Sequence, residues 1–75
     1  MERDIGARIK QFRLARDMSQ ERIEKATGIK QQSISDYERG VSEPSIATLW
    51  RLADFFCVTM DELVGRTPPK NKSEV

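Results

Sequence analysis

Histidine is absent from this chain of 75 residues, and cysteine occurs once, as Cys57. The first absence removes the side chain most used in general acid–base catalysis and a common zinc ligand. The second rules out an internal disulfide and a multi-cysteine metal site. There is no Gly-rich phosphate loop and no nucleophile–base pair, so neither turnover nor a cofactor is expected, and no small-molecule substrate is evident. No apolar run approaches the ~18 residues that a membrane span needs, and no signal-peptide apolar segment opens the chain. The expectation is a cytoplasmic protein that does not enter a membrane. Internal repeats and low-complexity blocks are missing too. So is a strong charge excess: 13 Lys and Arg face 12 Asp and Glu, for a net charge of +1. That balance is weak for a binder of polyanions. Residues 1–40 hold nine bases and seven acids, or +2, and residues 41–75 hold four and five, or −1.

What is present is helical patterning in one small domain. A chain of this length buries only about 60% of its unfolded surface, enough for a core and too little for a deep cleft. Ile5, Ile9 and Phe12 are spaced by four and three and predict a helix over about Arg3 to Arg16. Gly6 lies inside it at about 1 kcal/mol relative to Ala; a close helix crossing and chance are both open explanations. Ser19 suits an N-cap, although Arg22 replaces the acid or amide of a full capping box. A second helix over about Gln20 to Thr27 should turn Ile23 and Ala26 inward. Gly28 fits the left-handed position beyond its end. A third helix follows over about Lys30 to Arg39, with Ile29, Ile34 and Tyr37 as its apolar set and Gly40 as its stop. After the loop at Val41 to Pro44, Ser45 should cap a fourth helix with Ile46, Leu49, Leu52, Ala53 and Phe56 as its inner stripe. Trp50 is expected to pack between this helix and the last. Thr59 caps that last helix, Asp61 and Glu62 suit its positive end, Leu63 and Val64 are its apolar residues, and Gly65 stops it. Residues 66–75 hold two prolines and little that is apolar, which reads as a flexible polar tail. The expected architecture is all-α: a compact five-helix bundle over residues 1–65.

The second and third helices, joined at Gly28, carry the chemistry. The third opens with Lys30, Gln31 and Gln32. A glutamine amide can make two hydrogen bonds to adenine, and lysine can meet phosphate or guanine. Two short helices about a Gly turn, the second polar on its outer face, match the plan of a helix-turn-helix.

Gln20, Gly28, Ile34, Tyr37-Glu38-Arg39-Gly40, Pro44-Ser45 and Leu52-Ala53-Asp54 together resemble the Cro/C1-type helix-turn-helix family, also called the XRE family. The likeness spans about residues 5–65. It implies a lambda repressor-like fold that binds operator DNA as a homodimer, with the third helix in the major groove. Under this resemblance Gln31 and Gln32 match a base-reading pair, and Ser35 and Asp36, a turn further along the groove-facing side, are expected as further base contacts. Lys30, Ser33 and Arg39 fall where phosphate contacts are usual. Gln20 matches a glutamine that touches a phosphate and steadies the recognition helix. The resemblance also implies an ion pair between Arg13 and Glu38, and the helical phase of Arg13 beside the inner stripe agrees with it. Three residues depart from the family pattern. Glu24 replaces a small residue and must bend to solvent or find a cation. Asp36 would repel phosphate, although an acid can accept from cytosine. Cys57 stands where Gly or Asn is usual, so the turn there should be built differently.

Blander readings compete at several positions. Arg8, Lys10 and Arg16 read first as a solvated face, with contact to DNA as the alternative. Cys57 reads as an apolar filler, since no activating pattern surrounds it. Phe55 and Met60 fall off the main stripe and are the candidates for a dimer interface. At the level of function, a transcriptional repressor competes with an antitoxin or other interaction module that keeps the same fold. Such a module would carry a long apolar or acidic extension, and the residues from Arg66 onward are short and polar.

Overall fold

The computed structural model describes residues 5–65, and these form five helices and no strand. They are α1 (Ile5–Ala15), α2 (Gln20–Thr27), α3 (Gln31–Arg39), α4 (Ile46–Phe56) and α5 (Met60–Val64). The expected start of α1 at Arg3 and the polar tail of 66–75 lie outside the described residues.

Three of the helices after the first, α2, α4 and α5, begin on a local side-chain cap. Ser19 Oγ accepts the Arg22 backbone N–H at 3.0 Å, and Ser45 Oγ accepts that of Thr48 at 3.2 Å. Thr59 forms a full capping box: its Oγ1 accepts the Glu62 N–H at 3.0 Å, while Glu62 Oε1 accepts the Thr59 N–H at 2.8 Å. Each such bond satisfies a backbone donor that the helix leaves free. Lys30 is the N-cap of α3 rather than its first residue, and its own side chain makes no cap bond. At the other ends, Gly28, Gly40 and Gly65 all adopt positive φ.

The core joins all five segments. Ile9 of α1, Ile23 of α2, Ile29 of the turn, Ile34 of α3, Leu49, Leu52, Ala53 and Phe56 of α4 and Leu63 of α5 are buried together. Gly6 resolves as a close crossing. A Cβ built there would lie 1.8 Å from the carbonyl oxygen of Tyr37, so α1 and α3 approach backbone to backbone.

Several expectations fail in instructive ways. Ala26 is exposed rather than inward. Ile46 and Trp50 are 67% and 59% exposed, so neither packs as expected. Ile46 opens α4 and Trp50 lies one turn on, both to one side of the buried stripe that Leu49, Leu52, Ala53 and Phe56 form. Cys57 is exposed rather than a filler, and its turn is not built differently. The cysteine takes φ 62° and ψ 43°, and its N–H reaches the Ala53 and Asp54 carbonyls. The α4 turn thus keeps its left-handed geometry and bears the strain of a side chain in that region.

Two substitutions test this packing. Gly6→Ala places a methyl against backbone that cannot rotate away, and should lower stability by at least about 2 kcal/mol. Cys57→Gly relieves the left-handed strain and should raise it by up to about 1 kcal/mol, less what glycine adds to unfolded-state entropy. Thermal or urea melts read both; a neutral Gly6→Ala would mean that the helices separate at little cost.

Candidate nucleic-acid interface

The helix pair α2–α3 is fixed from below by one buried carboxylate. Glu38 has a side chain only 4% exposed, and that of Arg13 is 12% exposed. Arg13 Nε donates to Glu38 Oε2 at 2.7 Å and Nη2 donates to Oε1 at 2.9 Å, a two-point fork that matches the planar guanidinium to the carboxylate. Arg13 Nη1 also donates to the Met18 carbonyl at 2.9 Å. Gln20 Nε2 donates to Glu38 Oε1 at 3.0 Å. Four segments therefore meet here: α1, the Met18 link, the start of α2 and the end of α3. The hydrogen bond to Glu38 raises the pKa of Arg13; desolvation opposes that rise and the charge of Glu38 adds to it. The folded-state pKa lies above the unfolded one, so the part of this stabilisation that depends on Arg13's own charge is fully present at neutral pH and falls away as the pH rises into strong alkali.

The turn between the helices is also held by side chains. Thr27 Oγ1 donates to the Ile23 carbonyl at 2.8 Å and accepts the Ile29 N–H at 3.1 Å. Glu24 is half-buried and makes no ion pair among the described residues. Its Oε1 accepts the backbone N–H of Gln31 at 3.0 Å. The partner it finds is the positive end of α3, where a carboxylate is stabilised by free N–H groups and the helix dipole. The sequence reading missed this role because seven residues and a turn separate the two groups. The available signal was the absence of a capping side chain at Lys30.

On the outer side of α3, Gln32, Ser35, Asp36 and Arg39 share one face at spacings of three and four. Gln32 Nε2 donates to Asp36 Oδ1 at 3.1 Å, Arg39 Nη2 to the same oxygen at 2.6 Å, and Arg39 Nε to Ser35 Oγ at 3.3 Å. Gln31 and Lys30 are exposed beside this row, and Ser33 is half-buried on its flank. The structure thus brings Gln32, Ser35, Asp36 and Arg39 into one network. It sets Gln20 apart, half-buried and bound to Glu38.

The arginines of α1 face elsewhere. Arg8 Nε donates to the Glu62 carbonyl near the end of α5 at 3.0 Å, and Arg16 Nη2 to the Phe56 carbonyl at the end of α4 at 2.8 Å. The Arg16 guanidinium also stacks 5.5 Å from the Phe12 ring centre and 5.3 Å from that of Phe56. Both cations reach carbonyls at helix C-termini, where positive charge is favoured; the Glu62 carbonyl also accepts the Gly65 N–H at 3.4 Å, and Arg16 stays exposed while it does so. Phe55 and Met60 are half-buried against the core and keep part of their surface outside.

A short α2, a Gly turn and an α3 with a polar outer face define a helix-turn-helix domain. The helix-turn-helix family model matches residues 9–63, and the chain belongs to this family, the Cro/C1-type or XRE helix-turn-helix proteins. It is 34% identical over 67 residues to the uncharacterized HTH-type transcriptional regulator y4dJ of Sinorhizobium fredii, which covers 89% of this chain and 87% of that protein. It is 33% identical over 61 residues to the cryptic phage CTXphi transcriptional repressor RstR of Vibrio cholerae, covering 81% of this chain and 55% of RstR. The chain therefore spans about half the length of that relative. Among solved structures, SinR, the master regulator for biofilm formation, in complex with DNA, matches with a TM-score of 0.74 at 30% identity, over 79% of this chain and 95% of that one.

Removing one partner of a buried ion pair strands the other's charge, at about 3–5 kcal/mol. Arg13→Met should therefore destabilise the fold far more than Arg16→Met, whose guanidinium caps a carbonyl from an exposed position. Equal and small shifts in thermal melts would show that Arg13 is only a surface charge.

Proposed function

We propose that this chain is a sequence-specific DNA-binding transcriptional regulator, acting as a repressor by laying α3 in the major groove of an operator. One observation carries the reading: a polar face on α3 is held outward by a helix pair locked from beneath through Glu38. Rigidity matters because base contacts need side chains placed within hydrogen-bond reach of fixed base edges. The names of the relatives support the regulatory role, RstR as a repressor and y4dJ as a transcriptional regulator.

Gln31 and Gln32 are the base readers, in the first turn of α3 where a groove-bound helix meets base edges. Ser35 extends the base-reading side by one turn, while Asp36 beside it is taken up by Gln32 and Arg39 rather than by a base. Lys30, Ser33 and Arg39 meet phosphates. Gln20 keeps a second amide N–H beyond the one given to Glu38, and that N–H is its phosphate donor. Lys10 remains exposed and adds charge on α1.

The operator complex is a homodimer. Phe55 and Met60 contribute the parts of their surfaces that stay outside the core. Ile46 and Trp50 add an exposed apolar strip on α4. Two-fold pairing through α4 and α5 sets the recognition helices about one DNA turn (~34 Å) apart. Sedimentation at high concentration should find a dimer; a monomer both with and without DNA would overturn this assignment.

Base and phosphate contacts fail differently. Gln32→Ala should cost about 1–3 kcal/mol on the preferred site and relax selectivity at one base pair. Gln20→Ala should weaken binding by a similar factor on every sequence, because phosphates carry no base identity. Titration of both variants against the best site and its single-base mutants separates the two. An unchanged ranking of sites with Gln32→Ala would remove Gln32 from the base readers.

A further inference from the structure

The row on the outer face of α3 is already hydrogen-bonded within the free protein. A glutamine amide has one donating end and one accepting end, and on an exposed helix rotation about its last bond exchanges them. Beside Asp36 that exchange is blocked. An ionised carboxylate only accepts, so only the NH2 end of Gln32 can lie against Asp36 Oδ1, as it does at 3.1 Å. Turned over, the amide would set its oxygen against the carboxylate oxygen and convert a hydrogen bond into a repulsion. Gln32 Oε1 is thereby directed away from Asp36 and left for a donor from outside the protein.

Arg39 makes this arrangement compatible with a polyanion. Its Nη2 reaches the same Asp36 oxygen at 2.6 Å. The side chain of Asp36 is 28% exposed, and that of Arg39 is 56% exposed. A lone carboxylate there would repel phosphates. Paired, it adds no net charge to the face.

We propose that Asp36 is a specificity-determining positioning residue: it touches no base, but fixes the Gln32 amide in one orientation, so that Gln32 distinguishes a base pair from the same pair reversed. This rests on the reading of α3 as the recognition helix. In the major groove every base pair places an exocyclic amino donor on one strand and a keto acceptor on the other. An amide free to turn over satisfies both orders about equally. An amide held with its oxygen to one side satisfies one order and presents the wrong group to the other.

The experiment uses the full chain and three variants: Gln32→Ala, Asp36→Ala and the isosteric Asp36→Asn. Each is put through selection from a duplex pool with a randomised core. Each is then titrated against the parent's best site, copies with single base pairs reversed, and an unselected duplex. Gln32→Ala should flatten preference at one base pair. Both Asp36 variants should flatten the discrimination between that same pair and its reverse by about fivefold or more. Their affinity for the unselected duplex should rise, because a negative charge has left the face. A structural role alone would lower affinity for both duplexes together. Two results would overturn the proposal: flattening at a different base pair, which would make Asp36 itself a base reader, or discrimination that survives in both Asp36 variants while Gln32→Ala abolishes it. If Gln32→Ala changes no position, the recognition-helix reading fails and this proposal fails with it.

Discussion

A buried carboxylate sets the terms for the rest of this small domain. Glu38 lies near the end of α3 with almost no contact with solvent, and a charge there must be matched point by point. Arg13 supplies two donors from α1, and Gln20 supplies a third from α2. The third guanidinium nitrogen of Arg13 then holds the Met18 carbonyl. None of these bonds is local in sequence except the last. Their combined effect is directional, since a hydrophobic core alone would let α3 slide or rotate by small amounts over its neighbours. The fork fixes its angle to α1. The same interaction explains Gly6: with α3 drawn onto α1 at that point, no side chain fits between Gly6 and the Tyr37 carbonyl.

What this fixed helix presents outward follows from its two ends. At its start, Glu24 reaches across the turn to the Gln31 N–H, and Thr27 bonds both sides of Gly28. The turn is thus held by side chains as well as by the left-handed glycine. Along the exposed face, Arg39, Asp36 and Gln32 neutralise and orient one another. A chain with a net charge of +1 can therefore offer a nucleic-acid surface without a large basic patch. Three of its eight arginines have other tasks. Arg13 is buried in the fork, and Arg8 and Arg16 close the ends of α5 and α4.

Local signals in the sequence were enough for the helices. Ser19, Ser45 and Thr59 are caps, and Gly28, Gly40 and Gly65 are stops, in keeping with preferences that act within a few residues. The apolar stripe of Leu49, Leu52, Ala53 and Phe56 was legible by its spacing. The Arg13–Glu38 pair was legible through phase and the family pattern together. Ile46 and Trp50 were misread because periodicity assigns a face but not what lies opposite it. The contacts of Arg8 and Arg16 were missed because their partners are backbone carbonyls 54 and 40 residues away, which no side-chain pattern marks. Glu24 was read as a misfit because its partner is likewise a backbone group. The contacts that escaped the sequence are thus mostly side chain to main chain over long separations. The Gln32–Asp36–Arg39 row differs: its spacings were visible, and it went unread because Asp36 was weighed against phosphate and cytosine and not against its own helix neighbours.

The central claim is that α3, braced through Glu38, is the surface that meets DNA. Its most direct test is an NMR titration of the isotopically labelled full chain with a duplex selected from a random pool. The account predicts that amide shift changes concentrate on residues 30–39 and on Gln20. Leu63 and the other residues of α5 should move only as far as dimerisation moves them without DNA. Changes centred on α4 and α5 upon adding duplex, with α3 silent, would contradict it.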